Sequence, residues 1–181
     1  MEKNVALIAL FAALIAVLGL IPKITLGFGV PITAQSLGIM LAGAVLGSKR
    51  GALAVLLFLL LVAVGLPLLA GGRGGLGVFF GPTGGFLFSW PVAAWLIGFI
   101  VEKWRQPPLA VSVFVASILG GIVLSYAMGI VGLSLALGKS LTESTSLMLV
   151  FIPGDLIKAA VAGALTSALA KARPSSVLSR A

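Results

Sequence analysis

The sequence predicts an all-α membrane protein, a compact bundle of six transmembrane helices forming one domain over residues 1–181. Three observations carry this. Of 181 residues, 60% are hydrophobic and only 9% are charged, against a charged share of about a quarter in soluble domains, so a water-soluble fold has nowhere to hide the apolar surface. The apolar residues fall into runs long enough for a hydrocarbon core of about 30 Å, which takes roughly 17 to 25 residues of helix. The Lys and Arg residues sit in ones and twos between those runs. No linker or shift in composition divides the chain, whose length suits a single domain.

The first run, 4–21, follows Glu2 and Lys3 and reaches Pro22 without a small-x-small cleavage site. It therefore reads as a retained helix and not as a leader. The second, 33–47, is short and carries Gln35 and Ser36, so it spans only with help from its neighbours. Runs 51–69, 86–101, 109–133 and 153–170 complete the six. Lys3, Lys49, Arg50, Lys103, Arg105, Lys171, Arg173 and Arg180 fall on one side of this arrangement, and Lys23, Arg73 and Lys139 on the other. The positive-inside rule then places both termini in the cytoplasm. Trp104, between Lys103 and Arg105, reads as an interfacial anchor. Glycine is abundant, at 24 residues, and small residues let membrane helices approach closely; Gly43 with Gly47, and Gly120 with Gly121, are candidate contacts.

Cysteine and histidine are absent. That removes disulfides, thiolate or imidazole metal sites and Ser-His or Cys-His nucleophile pairs. The net charge of +8 forms no stripe or tail suited to nucleic acid, and fits membrane orientation instead. Two apparent nucleotide motifs fail on context. Gly132–Ser140, GLSLALGKS, has five residues where a P-loop has four between its glycines, and Gly72–Gly77, GRGGLG, lacks the strand and helix of a dinucleotide fold.

Chemistry is expected at two places. The stretch from Ala70 to Gly85, AGGRGGLGVFFGPTGG, is too rich in glycine for a helix. It sets backbone amides beside Phe79, Phe80 and the adjoining Phe86, as a lid over a small ring system would. At the start of the last span, Pro153 suits a first helical turn. Asp155 lies where the positive helix end favours a carboxylate, and Lys158 follows at i+3 on the same face. The modest reading is a helix cap with a lysine reaching outward. Ionisable groups near the bilayer interior more often serve a ligand or pathway, and this pair offers an acceptor beside a donor, the complement of a cyclic urea.

The stretch from Lys23 to Gln35 with its VPITAQ, the LAG and LGSKRG of 41–51, Gly65-Leu66-Pro67, the FGPTGGF of 80–86 and the PGD of 153–155 with Lys158 resemble the BioY family. These are the biotin-specific S components of energy-coupling factor transporters. Phe86 stands where the family often has tyrosine, and Ser89-Trp90 where a Gly-Phe pair is common. The resemblance implies a six-helix S-component bundle in the cytoplasmic membrane, with a biotin pocket near its outer face beneath the first and third outer loops. It implies no cofactor in this chain. The partners it implies are a transmembrane coupling protein and two cytosolic ATPases that hydrolyse ATP. Asp155 and Lys158 are expected at the ureido ring, with Thr83, Gly84 and Phe86 closing over the bicycle and Gln35 as a polar contact. Arg73 or Lys23 would meet the valerate carboxylate. An Ala-x-x-x-Ala motif in the first helix of S components packs on the coupling protein, and Ala9 with Ala13 or Ala12 with Ala16 fits that spacing. An S component for thiamine or riboflavin shares the bundle and remains an alternative. An intramembrane enzyme would need a second carboxylate or a base beside Asp155.

Overall fold

In the computed structural model, residues 2–24, 27 and 30–180 are described. Part of the Lys23 to Gln35 stretch, at Thr25, Leu26, Phe28 and Gly29, lies outside the described residues, as does the side chain of Lys3. Each of the six apolar runs is helical. The helices are α1 (Glu2–Leu18), α2 (Gln35–Leu46), α3 (Ser48–Ala63), α4 (Gly84–Lys103), α5 (Leu109–Ser117), α6 (Ser125–Leu137), α7 (Leu141–Met148) and α8 (Ile152–Ala172), with a π-helical segment, Ile118–Leu124, joining α5 to α6. Among the described residues no strand occurs; Ile24 with Ile32 and Leu69 with Arg73 form isolated bridges.

The short second helix is the centre of the bundle. At 12 residues and about 1.5 Å per residue, α2 falls well short of a bilayer core. It tolerates this because α1, α3, α4 and α8 pack around it, and every residue from Gly38 to Leu46 is buried. Its amino end opens on a cavity. Its carboxyl end turns straight into α3 through Gly47, whose φ of 84° favours a residue without a Cβ. Gly47 is thus a turn residue as well as a close contact with α4, where Gly98 and Glu102 press against it. Ser48, opening α3, donates from its backbone N and its Oγ to the carboxylate of Glu102 at 2.7 and 2.9 Å, so a side chain from α4 supplies the missing cap. The backbone N of Ser179 donates to Val45 O at 3.1 Å, and its hydroxyl donates to Ala44 O. The chain's tail thereby satisfies carbonyls that the end of α2 leaves without partners. Arg180 donates to Trp104 O at 3.2 Å, and Trp104 itself is exposed at the end of α4.

Glycines set how closely the helices approach. A Cβ at Gly43 would lie 2.4 Å from Ala94 O, and one at Gly98 2.3 Å from Gly47 C and Ser48 N. Gly120 packs on Ala93 and Ile97, while Gly121 meets the flexible side chain of Met40.

Two boundaries differ from expectation. Helix α3 ends at Ala63 because Gly65 turns with φ 109° and Pro67 follows, with no backbone donor to continue the helix. Helix α7 was not foreseen, although its signature is present. Ser140 Oγ accepts from Glu143 N at 3.2 Å, and Glu143 Oε2 accepts from Ser140 N at 2.9 Å, the reciprocal arrangement of a capping box. The P-loop-like stretch is helix α6 closed by Gly138 in the left-handed region, and no phosphate cradle forms there.

Gly98→Val should force α4 off the α2–α3 turn. Overpacking of this kind costs roughly 1 to 3 kcal/mol, to be read as a lower melting temperature of the detergent-solubilised protein. Gly154→Ala meets nothing within 4 Å and should melt like the parent; equal melting of all three proteins would contradict this account of the contact.

Candidate functional site: a cavity around Asp155 and Lys158

The cavity occupies the end of the bundle that α2 is too short to fill. It encloses about 680 Å³ of non-atom space, the solvent of its open mouth included. Its walls come from α2, α4, α8, the π segment with α6, and the loops that precede α2 and α4.

Asp155 and Lys158 meet on one wall. Phe151 to Pro153 lead into α8 with Pro153 in its first turn, which puts Asp155 at the helix start and Lys158 one turn on. Lys158 Nζ lies 2.7 Å from Asp155 Oδ1. Asp155 is 7% exposed, so its charge needs partners. Lys158 Nζ also donates to Ser36 Oγ at 3.0 Å, and Ser36 Oγ lies 3.4 Å from Asp155 Oδ1. Tyr126 donates its hydroxyl to Asp155 Oδ2 at 2.7 Å. Three helices, α2, α6 and α8, therefore converge on one carboxylate. Among the described residues no cluster of groups could hold a metal ion.

Gln35 does line the cavity, but its amide is already engaged. It is 2% exposed. Its Nε2 donates to Ile15 O at 3.2 Å and Leu68 O at 3.0 Å, and its Oε1 accepts from Ala70 N at 2.9 Å. The residue thus ties a loop to the cavity wall, with one acceptor position of Oε1 left over. That loop folds back between Leu69 and Arg73, which exchange backbone hydrogen bonds at 3.0 and 3.2 Å around Gly71 and Gly72 in the left-handed region. Leu69 and Arg73 are thus turned onto the cavity wall. Arg73 Nε donates to Ala70 O at 3.4 Å. Partial burial holds its guanidinium below its ordinary pKa without discharging it. Lys23 lies across Gly71 and contributes nothing to the wall.

The aromatic cover is built differently from expectation. Phe79 packs on Phe88, with ring centroids 5.7 Å apart, and Phe80 is 83% exposed; neither lines the cavity. The apolar surface there comes from Phe86, Leu87 and Trp90 on α4, with Met148 and Phe151 opposite. Thr83 lines the wall, whereas Gly84 does not. Gly84 is buried under Phe79, whose carbonyl oxygen would lie 2.0 Å from a Cβ, and its contribution is to let the loop close onto the start of α4.

The four alanines of α1 divide between two faces. Ala9 and Ala13 are exposed, while Ala12 is in the core and Ala16 packs against it. Ala12 and Ala16 are committed to this chain's own bundle, which removes them as a docking pair and leaves Ala9 with Ala13.

Sequence reasoning missed Ser36 and Tyr126. Tyr126 is the chain's one tyrosine, and a single polar ring inside an apolar span, five residues after Gly121, was the signal available. Ser36, beside Gln35 in an otherwise apolar run, carried a similar one.

Gln35→Leu nearly keeps the volume but removes both bonds to the loop and the one to Ile15 of α1. Unsatisfied buried partners cost about 1 to 3 kcal/mol, so the variant should melt lower and be cut faster by trypsin after Arg73. An unchanged cleavage rate at that bond would show that Gln35 does not hold the loop.

Comparison with known proteins places this geometry. The BioY family profile matches residues 2–175. The biotin transporter BioY of Rhodobacter capsulatus is 56% identical, over 99% of this chain and 100% of that protein, and the probable biotin transporter BioY of Bacillus subtilis is 46% identical over 91% of this chain and 89% of its own length. A crystal structure of the S-component for biotin from an ECF-type ABC transporter superposes with a TM-score of 0.89 at 38% identity, covering 94% of this chain and 92% of that one. The shared bundle extends to near full length, as does the sequence agreement, and the chain belongs to the BioY family.

Proposed function

We propose that this chain binds biotin and serves its uptake across the cytoplasmic membrane as the substrate-specific subunit of an energy-coupling factor transporter. The observation that carries this reading is the buried Asp155–Lys158 pair on the wall of a largely apolar cavity. A carboxylate accepts only and an ammonium donates only, so side by side they complement the N–H and C=O of a cyclic urea. Phe86 and Trp90 supply flat apolar surface for a fused ring. Arg73, whose Nε bond leaves its terminal nitrogens for a ligand, suits a carboxylate at the far end of a short chain.

This is binding chemistry and not catalysis. Among the described residues no second carboxylate accompanies Asp155, and its two oxygens are engaged by Lys158, Ser36 and Tyr126. The energy for transport then comes from partner subunits, a transmembrane coupling protein and two cytosolic ATPases. Ala9 and Ala13 form the small-residue stripe that α1 leaves exposed for the coupling protein. The bundle end opposite the cavity gathers Lys49, Arg50, Lys103, Arg105 and Arg180 around Glu102 and Trp104, which supports a cytoplasmic position for that end and an outward-facing cavity.

Titration calorimetry of the purified protein should give tight binding of biotin, weaker binding of desthiobiotin and none of thiamine. Asp155→Asn should weaken biotin at least about tenfold, since hydrogen bonds to charged groups are worth about 1.5 to 3 kcal/mol. Thiamine binding, or an Asp155→Asn affinity equal to the parent's, would overturn the assignment. For the partner surface, Ala13→Trp should impair cellular biotin uptake while the purified variant still binds biotin; normal uptake would remove this face from the docking site.

A further inference from the structure

We infer that Tyr126 is a positioning residue of the ligand site, set there by the π-helical segment, and that it restricts Asp155 to gripping a single N–H of the ligand. The inference rests on the biotin reading and deepens it.

A carboxylate offers about four acceptor positions and an ammonium three donors. At Asp155, Oδ1 is taken by Lys158 at 2.7 Å and approached by Ser36 at 3.4 Å, while Oδ2 is taken by Tyr126 at 2.7 Å. One acceptor position remains, on Oδ2. Lys158 donates to Asp155 and to Ser36, which leaves one donor. The open acceptor and the open donor therefore stand next to each other, fitted to one N–H and the C=O along one edge of the ureido ring.

Tyr126 reaches Asp155 because its span is not a regular α-helix. In a π turn the backbone bonds run i to i+5, and Ser125 N donates to Gly120 O in that pattern, with Ser125 Oγ adding a bond to the same carbonyl at 3.1 Å. Residues five apart are thereby stacked, so Gly121 and Tyr126 share the cavity wall. The ring is then held edge-on by Phe86, with centroids 6.3 Å apart at 82°. Phe86 in turn occupies the space where a side chain at Gly129 would stand.

Tyr126→Phe keeps the ring and removes only the donor. The measurement is the affinity of the full-length variant and parent for biotin and for 2-iminobiotin, whose cationic guanidinium presents no carbonyl to Lys158 and is drawn to a less engaged carboxylate. Tyr126→Phe should weaken biotin about tenfold and 2-iminobiotin much less, so that the preference between them falls several-fold. An equal loss for both ligands, or no loss, overturns the positioning role. If the parent itself does not bind biotin, it is the functional reading that fails. Should Tyr126→Phe not fold, the parent grown with 3-fluorotyrosine carries one labelled ring. Its fluorine resonance should move when biotin saturates the site, and a resonance that stays put while biotin binds overturns the inference.

Discussion

The cavity end of this bundle is organised around one constraint, a carboxylate held in an apolar interior. An unpaired charge at the position of Asp155, 7% exposed, would cost several kcal/mol in desolvation. Lys158 meets that cost first, and because it is three residues along the same helix the pairing does not depend on how other helices dock. Ser36 and Tyr126 arrive from α2 and α6 and engage the remaining lone pairs. The pair is therefore internally neutral and nearly, but not fully, saturated. A fully satisfied network would have no use for a ligand, and a poorly satisfied one would destabilise the bundle.

The room for this arrangement comes from two irregularities. Helix α2 stops about 12 Å short of a full span, as its 12 residues at about 1.5 Å each imply against a core of about 30 Å. Loops fill that gap, and Gln35 from the first turn of α2 fixes one of them, so the element that creates the vacancy also anchors its cover. The fifth span is the second irregularity. Its π segment faces Met40 and Ile97 through Gly121 and Gly120, and both glycines sit where a side chain would press on the neighbouring helices. Close packing on one side of the segment and an open wall on the other follow from the same seven residues.

The six apolar runs, the Pro-led start of α8 and the Asp155–Lys158 pairing were legible because each depends on local chemistry: run length, a missing backbone donor, a three-residue spacing. Phe86 was marked by the composition of its loop, and Thr83 and Arg73 by the family resemblance; all three line the cavity wall. What escaped was set by tertiary geometry. Gln35 reaches the cavity wall, but only the approach of Leu68 and Ala70 shows that its amide also anchors a loop. Phe79 and Phe80 look like a lid, yet the 3₁₀ turn Leu76–Phe79 directs Phe80 outward. The π segment has no signature beyond Gly120-Gly121, and without it the position of Tyr126 could not be assigned. Ala12 and Ala13 are equivalent in spacing arguments, but Ala12 is buried and Ala13 exposed. The Ser140–Glu143 capping box is the exception, a local signal that was present and overlooked because the neighbouring residues resembled a nucleotide motif.

On the proposed function, the charge arithmetic of the site bears on how a loaded subunit could turn within a membrane. Asp155 and Lys158 cancel one another before any ligand arrives. Biotin brings one carboxylate, and Arg73 on the cavity wall brings one compensating cation, so the charges of Asp155, Lys158, Arg73 and the ligand sum to zero. Moving net charge through hydrocarbon is what makes intramembrane reorientation expensive, and here the loaded site carries none. Lys49, Arg50 and Lys103 are gathered at the opposite end, and Lys23 and Lys139, on the same side as Arg73, stand outside the cavity wall. The empty site, by contrast, leaves Arg73 without its partner. Ligand binding thus removes the net charge of the cavity wall, and it couples occupancy of the cavity to the freedom of the bundle to move without requiring any change in how its helices pack.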